Sequence, residues 1–333
     1  MSRLKPLLRR AAYRSGALSL RRRQVRHALT AVMLHRVMDP ADPDFALADP
    51  VYTVSTPLFA QLLRFFRDHY LIVDLQQVLD AIDGTRALPR HALLITFDDG
   101  WADNMRYAVP MLAEHKMPAV IFVAAEAVQD AAAAWWQEDV FACGRSGRLA
   151  AWIGETPERA RLLGDGADVL GVVTRLALMY APARDRLLAS LPRQQCQSRM
   201  MMNESELRRL SAFGIDVALH GYRHIPLTAA PDVRAELVQT GTALERMTGG
   251  KAVTSALGCP HGRYDERVVS AARDVGVKAI FTSDKVLNAC EDGLLTRERT
   301  LGRISIDERH VMASPYRLDT SAAARWLWAR ELG

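Results

Sequence analysis

The sequence contains little cysteine and no long apolar run. Its four cysteines, Cys143, Cys196, Cys259 and Cys290, show no Cys-x-x-Cys spacing. The positions of the cysteines therefore support neither a zinc knuckle nor a disulfide framework, and they favour a reducing compartment. No stretch approaches the roughly 18 consecutive apolar residues that a membrane-spanning helix needs, and the N-terminus lacks the apolar core and cleavage site of a secretory signal. We therefore expect a cytoplasmic protein without a transmembrane helix.

Acidic residues are absent from residues 1–38, which carry ten lysines and arginines. The whole chain has 43 basic and 38 acidic residues, so residues 39–333 hold 33 basic against 38 acidic residues, a net charge of −5. The basic character therefore belongs to the N-terminal segment. No basic stripe with interleaved aromatic residues follows it, and we expect no nucleic-acid partner.

Leucines and alanines recur at helical spacing near the N-terminus, with arginines largely on the other face. The apolar positions are Leu4, Leu7, Leu8, Ala11 and Ala12. This pattern predicts a basic helical segment over residues 1–28. Two interpretations remain open: residues 1–27 adsorb to an anionic surface such as the inner membrane, or the helix packs on the protein body.

Strand-like and helix-like segments alternate along the rest of the chain, which argues for parallel strands joined by right-handed crossovers. The predicted strands are Thr30–His35, Leu71–Leu75, Ala92–Phe97, Ala119–Ala124, Ile215–Leu219, Thr254–Cys259, Lys278–Thr282 and Arg303–Ile306. The predicted helices include Pro57–Tyr70, Tyr107–His115, Glu204–Phe213, Val233–Met247 and Glu266–Val275. We predict an α/β fold, a (β/α)7-type distorted TIM-like barrel over residues 29–333, with reactive groups at the C-terminal strand ends.

One gap interrupts the alternation and predicts a helical insertion at about residues 130–203. It contains helical patterns over Pro157–Leu163 and Leu170–Tyr180, and it would form a wall or lid beside the site. Near its start lie Trp135 and Trp136. These rings could stack on sugar faces, but we favour anchoring of the insertion to the body, the commoner role of such a pair.

The run from Ala92 to Phe97 ends in Asp98, Asp99 and Gly100. Two adjacent carboxylates at a strand end repel each other unless a metal or another cation neutralises at least one of them. In the alternative interpretation Asp99 and Gly100 form a plain turn, and Asp98 caps a helix that begins near Trp101.

Two further clusters follow predicted strands. His220 and His224 are four residues apart, so one turn of helix would place both imidazoles on one side. One carboxylate with two imidazoles is a common ligand set for a catalytic zinc or another first-row divalent ion. Downstream, Pro260-His261-Gly262 predicts a tight turn whose backbone N–H groups could stabilise an oxyanion.

In this order the three clusters resemble the signature of the NodB-like polysaccharide deacetylases, carbohydrate esterase family four and its relatives. Thr96-Phe97-Asp98-Asp99-Gly100 is similar to the first motif of the family, His220 to His224 to the second and Pro260-His261-Gly262 to the third. The similarity begins at Met33-Leu34-His35-Arg36-Val37 and covers roughly residues 30–306.

The resemblance implies that Asp98 is the general base and that Asp99, His220 and His224 bind the metal. It also implies that the backbone N–H of His261 helps to hold the oxyanion. Zinc is the expected metal, with cobalt, manganese and nickel as alternatives. The implied reaction removes an acetyl group, with N-deacetylation favoured, from an amino sugar of a glycan or a lipid-linked saccharide.

The chain departs from the family pattern at several positions. Gly221 replaces the usual serine or threonine, Gly258 replaces the arginine that usually pairs with the base, and His261 replaces a tyrosine. A late Leu-x-His motif for the general acid is also missing. His35 at the end of the first strand is the favoured acid, and His310 is the weaker candidate.

Two other functions are compatible with the sequence. The altered third motif and the missing late histidine would suit a glycan-binding protein that has lost turnover. A glycoside hydrolase could use Asp98 with a remote carboxylate. The retained pair of carboxylates and pair of histidines favours the metal-dependent deacetylase over both.

Overall fold

The computed structural model describes residue 13 and residues 16–129, 136–164, 166, 168–179, 181–192, 199–295 and 300–333. The strands are β1 (Thr30–Leu34), β2 (Arg36–Met38), β3 (Thr53–Ser55), β4 (Leu71–Ile72), β5 (Ala92–Asp99), β6 (Ala119–Val123), β7 (Ile215–Leu219), β8 (Ala252–Gly258), β9 (Ala279–Phe281), β10 (Ile304–Ser305), β11 (Met312–Ser314) and β12 (Arg317–Leu318).

The α-helices are α1 (Ala17–Gln24), α2 (Thr56–His69), α3 (Leu75–Ile82), α4 (Val109–Glu114), α5 (Ala125–Gln129), α6 (Trp136–Arg145), α7 (Leu149–Gly154), α8 (Pro157–Leu163), α9 (Val169–Ala177), α10 (Ala181–Leu188), α11 (Glu204–Leu210), α12 (Val233–Thr248), α13 (Glu266–Asp274), α14 (Glu308–Val311) and α15 (Thr320–Trp328). A π-helical turn, Asn104–Ala108, precedes α4, and 3-10 turns occupy Ser211–Phe213, Leu227–Ala229 and Pro260–Gly262.

Seven parallel strands form the barrel in the order β10, β1, β5, β6, β7, β8, β9, and the short β4 pairs with the start of β5. A bridge between Phe281 of β9 and Leu301, just before β10, joins the two ends of this sheet. The predicted (β/α)7-type barrel is therefore confirmed. Because all seven strands are parallel, their carboxyl ends meet at one mouth of the barrel.

The strands follow from the sequence because a parallel barrel buries both faces of its sheet. Every residue of β1, β5 and β6 is buried, which explains their continuous apolar runs. Strand β7 has the predicted bounds, whereas β4 ends at Ile72, earlier than predicted. The reason is local: Asp74 forms a capping box with Gln77 and starts α3 at Leu75.

The insertion has an apolar core of its own. Helices α6 to α9 pack around a cluster that includes Cys143, Trp152, Leu163 and Leu176. A buried ion-pair network attaches α6 to the barrel, since Arg36 of β2 lies 2.7 Å from the carboxylate of Asp103 and 3.3 Å from that of Glu138. This network holds the start of the insertion beside the barrel mouth.

Helix α1 contacts the C-terminal helix α15, and its Leu18 is buried. This part of the basic segment therefore packs on the barrel, whereas Leu4, Leu7, Leu8, Ala11 and Ala12 lie outside the described residues. Of the cysteines that the structure describes, Cys143, Cys259 and Cys290 are free thiols. Within the described ranges no helix has the length and hydropathy needed to cross a bilayer.

Candidate active site

The end of β5 turns sharply at Asp99, which has a φ of 76°, and at Gly100, which has a φ of 98°. This left-handed backbone is unusual for a non-glycine residue and lets both Asp98 and Asp99 face one cleft. The carboxylates are 3% and 4% exposed. The interpretation of Asp98 as a helix cap is wrong, because both of its oxygens accept hydrogen bonds from Arg303.

Asp99 lies against the two predicted histidines. Its Oδ1 is 3.3 Å from Nε2 of His220 and 3.1 Å from Nε2 of His224, while its Oδ2 accepts a hydrogen bond from the indole N–H of Trp101 at 2.9 Å. Three ligand atoms, one from each residue, lie within 4.8 Å of one another. The structure therefore brings together the three residues expected to bind a metal.

The hydrogen bonds of this group fit a divalent cation. Nδ1 of His220 is 2.8 Å from the carbonyl oxygen of Gly258, so the neutral ring carries its proton there and presents a lone pair at Nε2. That lone pair faces the buried Oδ1 of Asp99 at 3.3 Å. Two electron pairs facing each other in a buried site are stabilised by a positive charge between them, which a metal ion or a proton on Nε2 can supply.

The charges of the site reinforce one another. Burial raises the pKa of Asp99, but the adjacent imidazoles of His224 and His220 outweigh it and hold that pKa well below its usual range. Burial lowers the pKa of His220, whereas Asp98 and Asp99 raise it, and the net shift is upward. Both shifts describe a strongly anionic pair that attracts a positive charge.

Arg303 supplies the positive charge beside Asp98. In the family pattern this charge comes from an arginine at the position that Gly258 occupies here. Nη1 of Arg303 donates to Oδ1 of Asp98 at 2.5 Å and its Nη2 donates to Oδ2 at 2.9 Å. Burial works to raise the pKa of Asp98, but Arg303 together with His220 and His35 outweighs it and the pKa is lowered. Arg303 lies before β10, beyond the third motif, so no local motif pairs it with Asp98. In the sequence, Arg303 begins a predicted strand, and no motif there indicates a role for it.

The side chain of Phe122 fills the space beside Gly258. A Cβ built on Gly258 would lie 2.8 Å from Cγ of Phe122, and the guanidinium of Arg303 lies 5.2 Å from the centre of the same ring. A larger side chain at Gly258 would displace this ring. The glycine, the phenylalanine and the relocated arginine thus form one packing arrangement.

The loop with the two histidines is supported from helix α12. Glu236, which is 2% exposed, accepts hydrogen bonds from the backbone N–H groups of Tyr222 and Arg223 at 3.1 and 2.9 Å. It also forms an ion pair with the guanidinium of Arg223. Gly221, in place of the usual serine or threonine, has a φ of 73° and packs on Pro260. The loop is therefore stabilised by Glu236, a residue outside the loop to which no sequence motif pointed.

His261 lies in the 3-10 turn that follows β8 and has a φ of 57°. Its ring contacts that of His224 in a tilted arrangement with ring centres 4.6 Å apart, and its Nε2 is 3.2 Å from the carbonyl oxygen of His224. Burial lowers the pKa of His261 to about 3, so the ring is neutral. The backbone N–H of His261 is in the first turn of a helix and has no partner within that turn.

The two candidate acids lie in different places. His35 follows β1, lines the cleft with Asp98 and contacts Tyr52 in a tilted arrangement with ring centres 4.4 Å apart. Burial lowers the pKa of His35, and the nearby charges of Asp99 and Asp98 offset part of this lowering. His310 on α14 stacks on Trp326 at 4.1 Å and is 3.4 Å from the carboxylate of Asp307. His310 is not among the described residues that line the cleft.

The cleft above the carboxylates has a volume of about 250 Å³ and is open to solvent on one side. Strand ends form its base, and helices α6 and α9 of the insertion form a wall. Trp136 packs in the insertion core beneath the guanidinium of Arg184, at 4.9 Å, and its role in anchoring the insertion to the body stays a prediction. Trp135 lies outside the described residues.

The family model for polysaccharide deacetylases matches residues 85–280, more than half of the chain. The chain therefore belongs to the polysaccharide deacetylase family. The matched segment contains all three motifs and both histidines of the second motif, whereas His35 and Arg303 lie outside it. No curated protein matches the chain in sequence.

Several solved structures have a similar fold. The Streptococcus pyogenes deacetylase PplD, solved in complex with acetate, superposes with a TM-score of 0.58 at 15% identity, over 90% of this chain and 98% of its own. IcaB from Ammonifex degensii gives a TM-score of 0.56 at 18% identity, over 90% and 97%. A polysaccharide deacetylase from Bacillus cereus gives 0.55 at 15% identity, over 90% of this chain and 69% of its own.

Family membership identifies the chain as an enzyme that removes acetyl groups from carbohydrate. It also favours this activity over the two alternatives, a glycan-binding protein without turnover and a glycoside hydrolase. The geometry is consistent with this result, because Asp98 is paired with an arginine and Asp99 with two imidazoles.

Proposed function

We propose that this enzyme is a zinc-dependent N-deacetylase, which hydrolyses the acetamido group of an amino sugar in a glycan or glycolipid. The observation that carries the proposal is the convergence of Asp99, His220 and His224 beside a second carboxylate, Asp98. A ligand set and a separate base at the floor of one cleft are the parts that amide hydrolysis requires.

Asp99, His220 and His224 would hold the metal through Oδ1 and the two Nε2 atoms. When bound, a divalent cation polarises the acetyl carbonyl and makes a coordinated water more acidic. Two nitrogen ligands and one oxygen ligand, with positions left for water and substrate, favour zinc over the other candidates, cobalt, manganese and nickel.

Asp98 would accept the proton of the attacking water. Its carboxylate is not among the grouped ligand atoms, and the pKa of Asp98 is lowered despite burial because Arg303 offsets the burial cost. The base is therefore ionised at neutral pH. Arg303 also fixes the plane of the carboxylate, because a bidentate pair restricts rotation.

The tetrahedral oxyanion that follows attack would be stabilised by the backbone N–H of His261. His35 would then donate a proton to the leaving nitrogen. Its location in the cleft supports this role over His310, which packs against Trp326. A protonated amine is a far better leaving group than an amide anion, so the acid is essential to the second half of the reaction.

An acetate-release assay with metal analysis tests the proposal. Purified protein should contain about one zinc per chain and should release acetate from N-acetylglucosamine oligosaccharides, with no new reducing ends. His224→Ala should lose the metal and the activity, whereas His310→Ala should keep the metal. Matched N-acetyl and O-acetyl substrates distinguish amide from ester hydrolysis. Metal-free, inactive wild-type protein contradicts the proposal, and new reducing ends would indicate a glycoside hydrolase.

We also propose that the basic segment, residues 1–28, contacts the anionic inner membrane from the cytoplasm through the residues that precede α1. The ten basic residues among residues 1–38 support this proposal. The packing of α1 on α15 restricts it to the residues before α1. A chain beginning at residue 13 should sediment less with phosphatidylglycerol vesicles than the full chain, and equal sedimentation of both would contradict membrane contact.

A further inference from the structure

The insertion contributes an apolar wall to the catalytic cleft. On α9 and its C-terminal cap, the residues that face the cleft are spaced three and four apart and form one face of the helix. Together with one aromatic residue of α6, the apolar part of the wall consists of Phe141, Leu170, Val173, Thr174, Ala177 and Leu178, while Gln137 and Glu138 of α6 are its polar lining residues. Within it, the only side-chain hydroxyl donates to the carbonyl of Leu170 at 2.8 Å. The wall therefore offers a substrate mainly hydrocarbon.

Two leucines of this wall are open to solvent. Leu170 and Leu178 are each 48% exposed, although Val172 and Leu176 on the other face of α9 are fully buried in the insertion core. A single exposed leucine is common on protein surfaces and requires no explanation. Two on one helix face, continuous with an active-site cleft, mark a surface that a ligand covers.

The rest of the cleft has a different character. The strand ends provide carboxylates and imidazoles, and the loop after β8 provides Arg263 at the surface. Any substrate whose acetamido group reaches Asp98 must occupy the cleft and lie next to both kinds of surface. The polar floor suits the sugar, and the aliphatic wall suits a group without hydrogen-bonding atoms.

Polysaccharide chains are a poorer match for this wall. Sugar faces stack well on aromatic rings, but Trp101 is 3% exposed and Trp136 packs within the insertion core. Among the described lining residues, Tyr52 and Phe141 are the aromatic rings left for stacking, and Tyr52 already contacts His35. Leucines contact alkyl chains without needing a defined ring geometry.

We infer that the substrate is a glycolipid, an acetylated amino sugar that carries a long alkyl chain, and that Leu170 and Leu178 contact this chain. The inference rests on the proposed deacetylase activity and specifies its substrate class. The alkyl chain lies along α9 while the sugar reaches the carboxylates, so the insertion selects the lipid part and the barrel performs the hydrolysis.

The test compares octyl and methyl β-glycosides of N-acetylglucosamine, with the octyl glycoside kept below its critical micelle concentration. The two share the sugar and the acetamido group. The zinc-loaded wild-type enzyme should have a kcat/KM at least about tenfold higher for the octyl glycoside, the gain expected from removing about two methylene groups from water.

The double variant Leu170→Gln/Leu178→Gln should reduce this preference to about twofold or less. Leu71→Gln is the matched control, because Leu71 is 57% exposed but lies on β4, which pairs with the start of β5. The control should keep the full preference. All three proteins should fold, since the replaced leucines are about half exposed.

Direct titration of both glycosides separates the inference from the proposed function. If no acetate is released from any substrate, the deacetylase proposal fails. Tighter binding of the octyl glycoside that depends on Leu170 and Leu178 would still support contact between these leucines and the alkyl chain. Equal kcat/KM and equal affinity for the two glycosides overturn the inference while leaving deacetylation intact. A preference that survives in the double variant, or no binding by either glycoside, also overturns it.

Discussion

The guanidinium of Arg303 donates to both carboxylate oxygens of Asp98, at 2.5 and 2.9 Å, although the two residues are 205 positions apart. The same guanidinium donates to the carbonyl of Thr282 at 3.0 Å and to the hydroxyl of Thr96 at 3.2 Å. Arg303 is therefore held on several sides. Its charge sits where the base needs it because the last strand of the barrel closes against the first.

Replacing Arg303 should change the pH dependence of the reaction. In Arg303→Gln the cation is lost, so the pKa of Asp98 should rise and the acid limb of kcat/KM should move to higher pH. We expect kcat at neutral pH to fall by about 10- to 100-fold. Arg303→Lys should lie between the wild type and Arg303→Gln, because it keeps the charge but loses the bidentate geometry. An unmoved acid limb with normal metal content would remove Arg303 from this role.

Gly258 should tolerate no side chain. Its Cβ would meet Phe122 at 2.8 Å, so we expect Gly258→Ala to lower the free energy of unfolding by about 1 to 3 kcal/mol. Gly154→Ala is the control, because nothing lies within 4 Å of its Cβ, and it should change stability by less than about 1 kcal/mol. Urea denaturation measures both. Equal stability of the two variants would show that Phe122 moves aside freely.

Glu236 should control metal affinity without contacting the metal. Glu236→Ala removes the acceptor for two backbone N–H groups of the histidine loop, and we expect zinc affinity to fall by about 10- to 100-fold. Glu236→Gln keeps an oxygen acceptor and should recover part of the loss. Chelator competition measures the affinity, and Glu245→Ala, exposed on the same helix, is the control. Unchanged affinity in Glu236→Ala would mean that the loop is rigid without it.

His35 should act on protons and not on the metal. We expect His35→Gln to keep its zinc while kcat falls by about 100-fold or more, because the leaving nitrogen loses its proton donor. Donation requires the protonated imidazole, and burial lowers the pKa of His35 below its ordinary 6.5. The wild-type kcat/KM should therefore fall as pH rises through a value below 6.5, and the variant should lack this limb. Normal turnover in His35→Gln, or a matching loss in His310→Gln, would assign the acid elsewhere.

The sequence predicted most of the barrel because strands such as β5 and β6 are largely continuous apolar runs with both faces buried. Strand β7 has the predicted bounds, and the strand before α3 was overpredicted because a capping box ends it early. The residues expected to bind the metal could be found for a similar reason. Asp99, His220 and His224 each follow an apolar strand, and parallel strands bring such ends together.

The support for these residues could not be predicted in the same way. Arg303 and Glu236 lie outside the motifs, and arginine or glutamate at such positions is common on any surface. Their roles arise from long-range contacts: Arg303 reaches Asp98 when the barrel closes, and Glu236 reaches the histidine loop when α12 packs beside β7. The apolar wall has a similar origin, since a helix pattern shows which residues share a face but not what that face meets.

The sequence by itself determined the strand-helix order, the candidate base and the candidate metal ligands, because local apolar runs end in these polar residues. Only the tertiary structure decided which distant charge pairs with Asp98, which candidate acid lies in the cleft and which face of α9 lines the cleft. These three relationships depend on how elements far apart in the chain pack. The free energy of that packing comes from the whole barrel rather than from any local pattern.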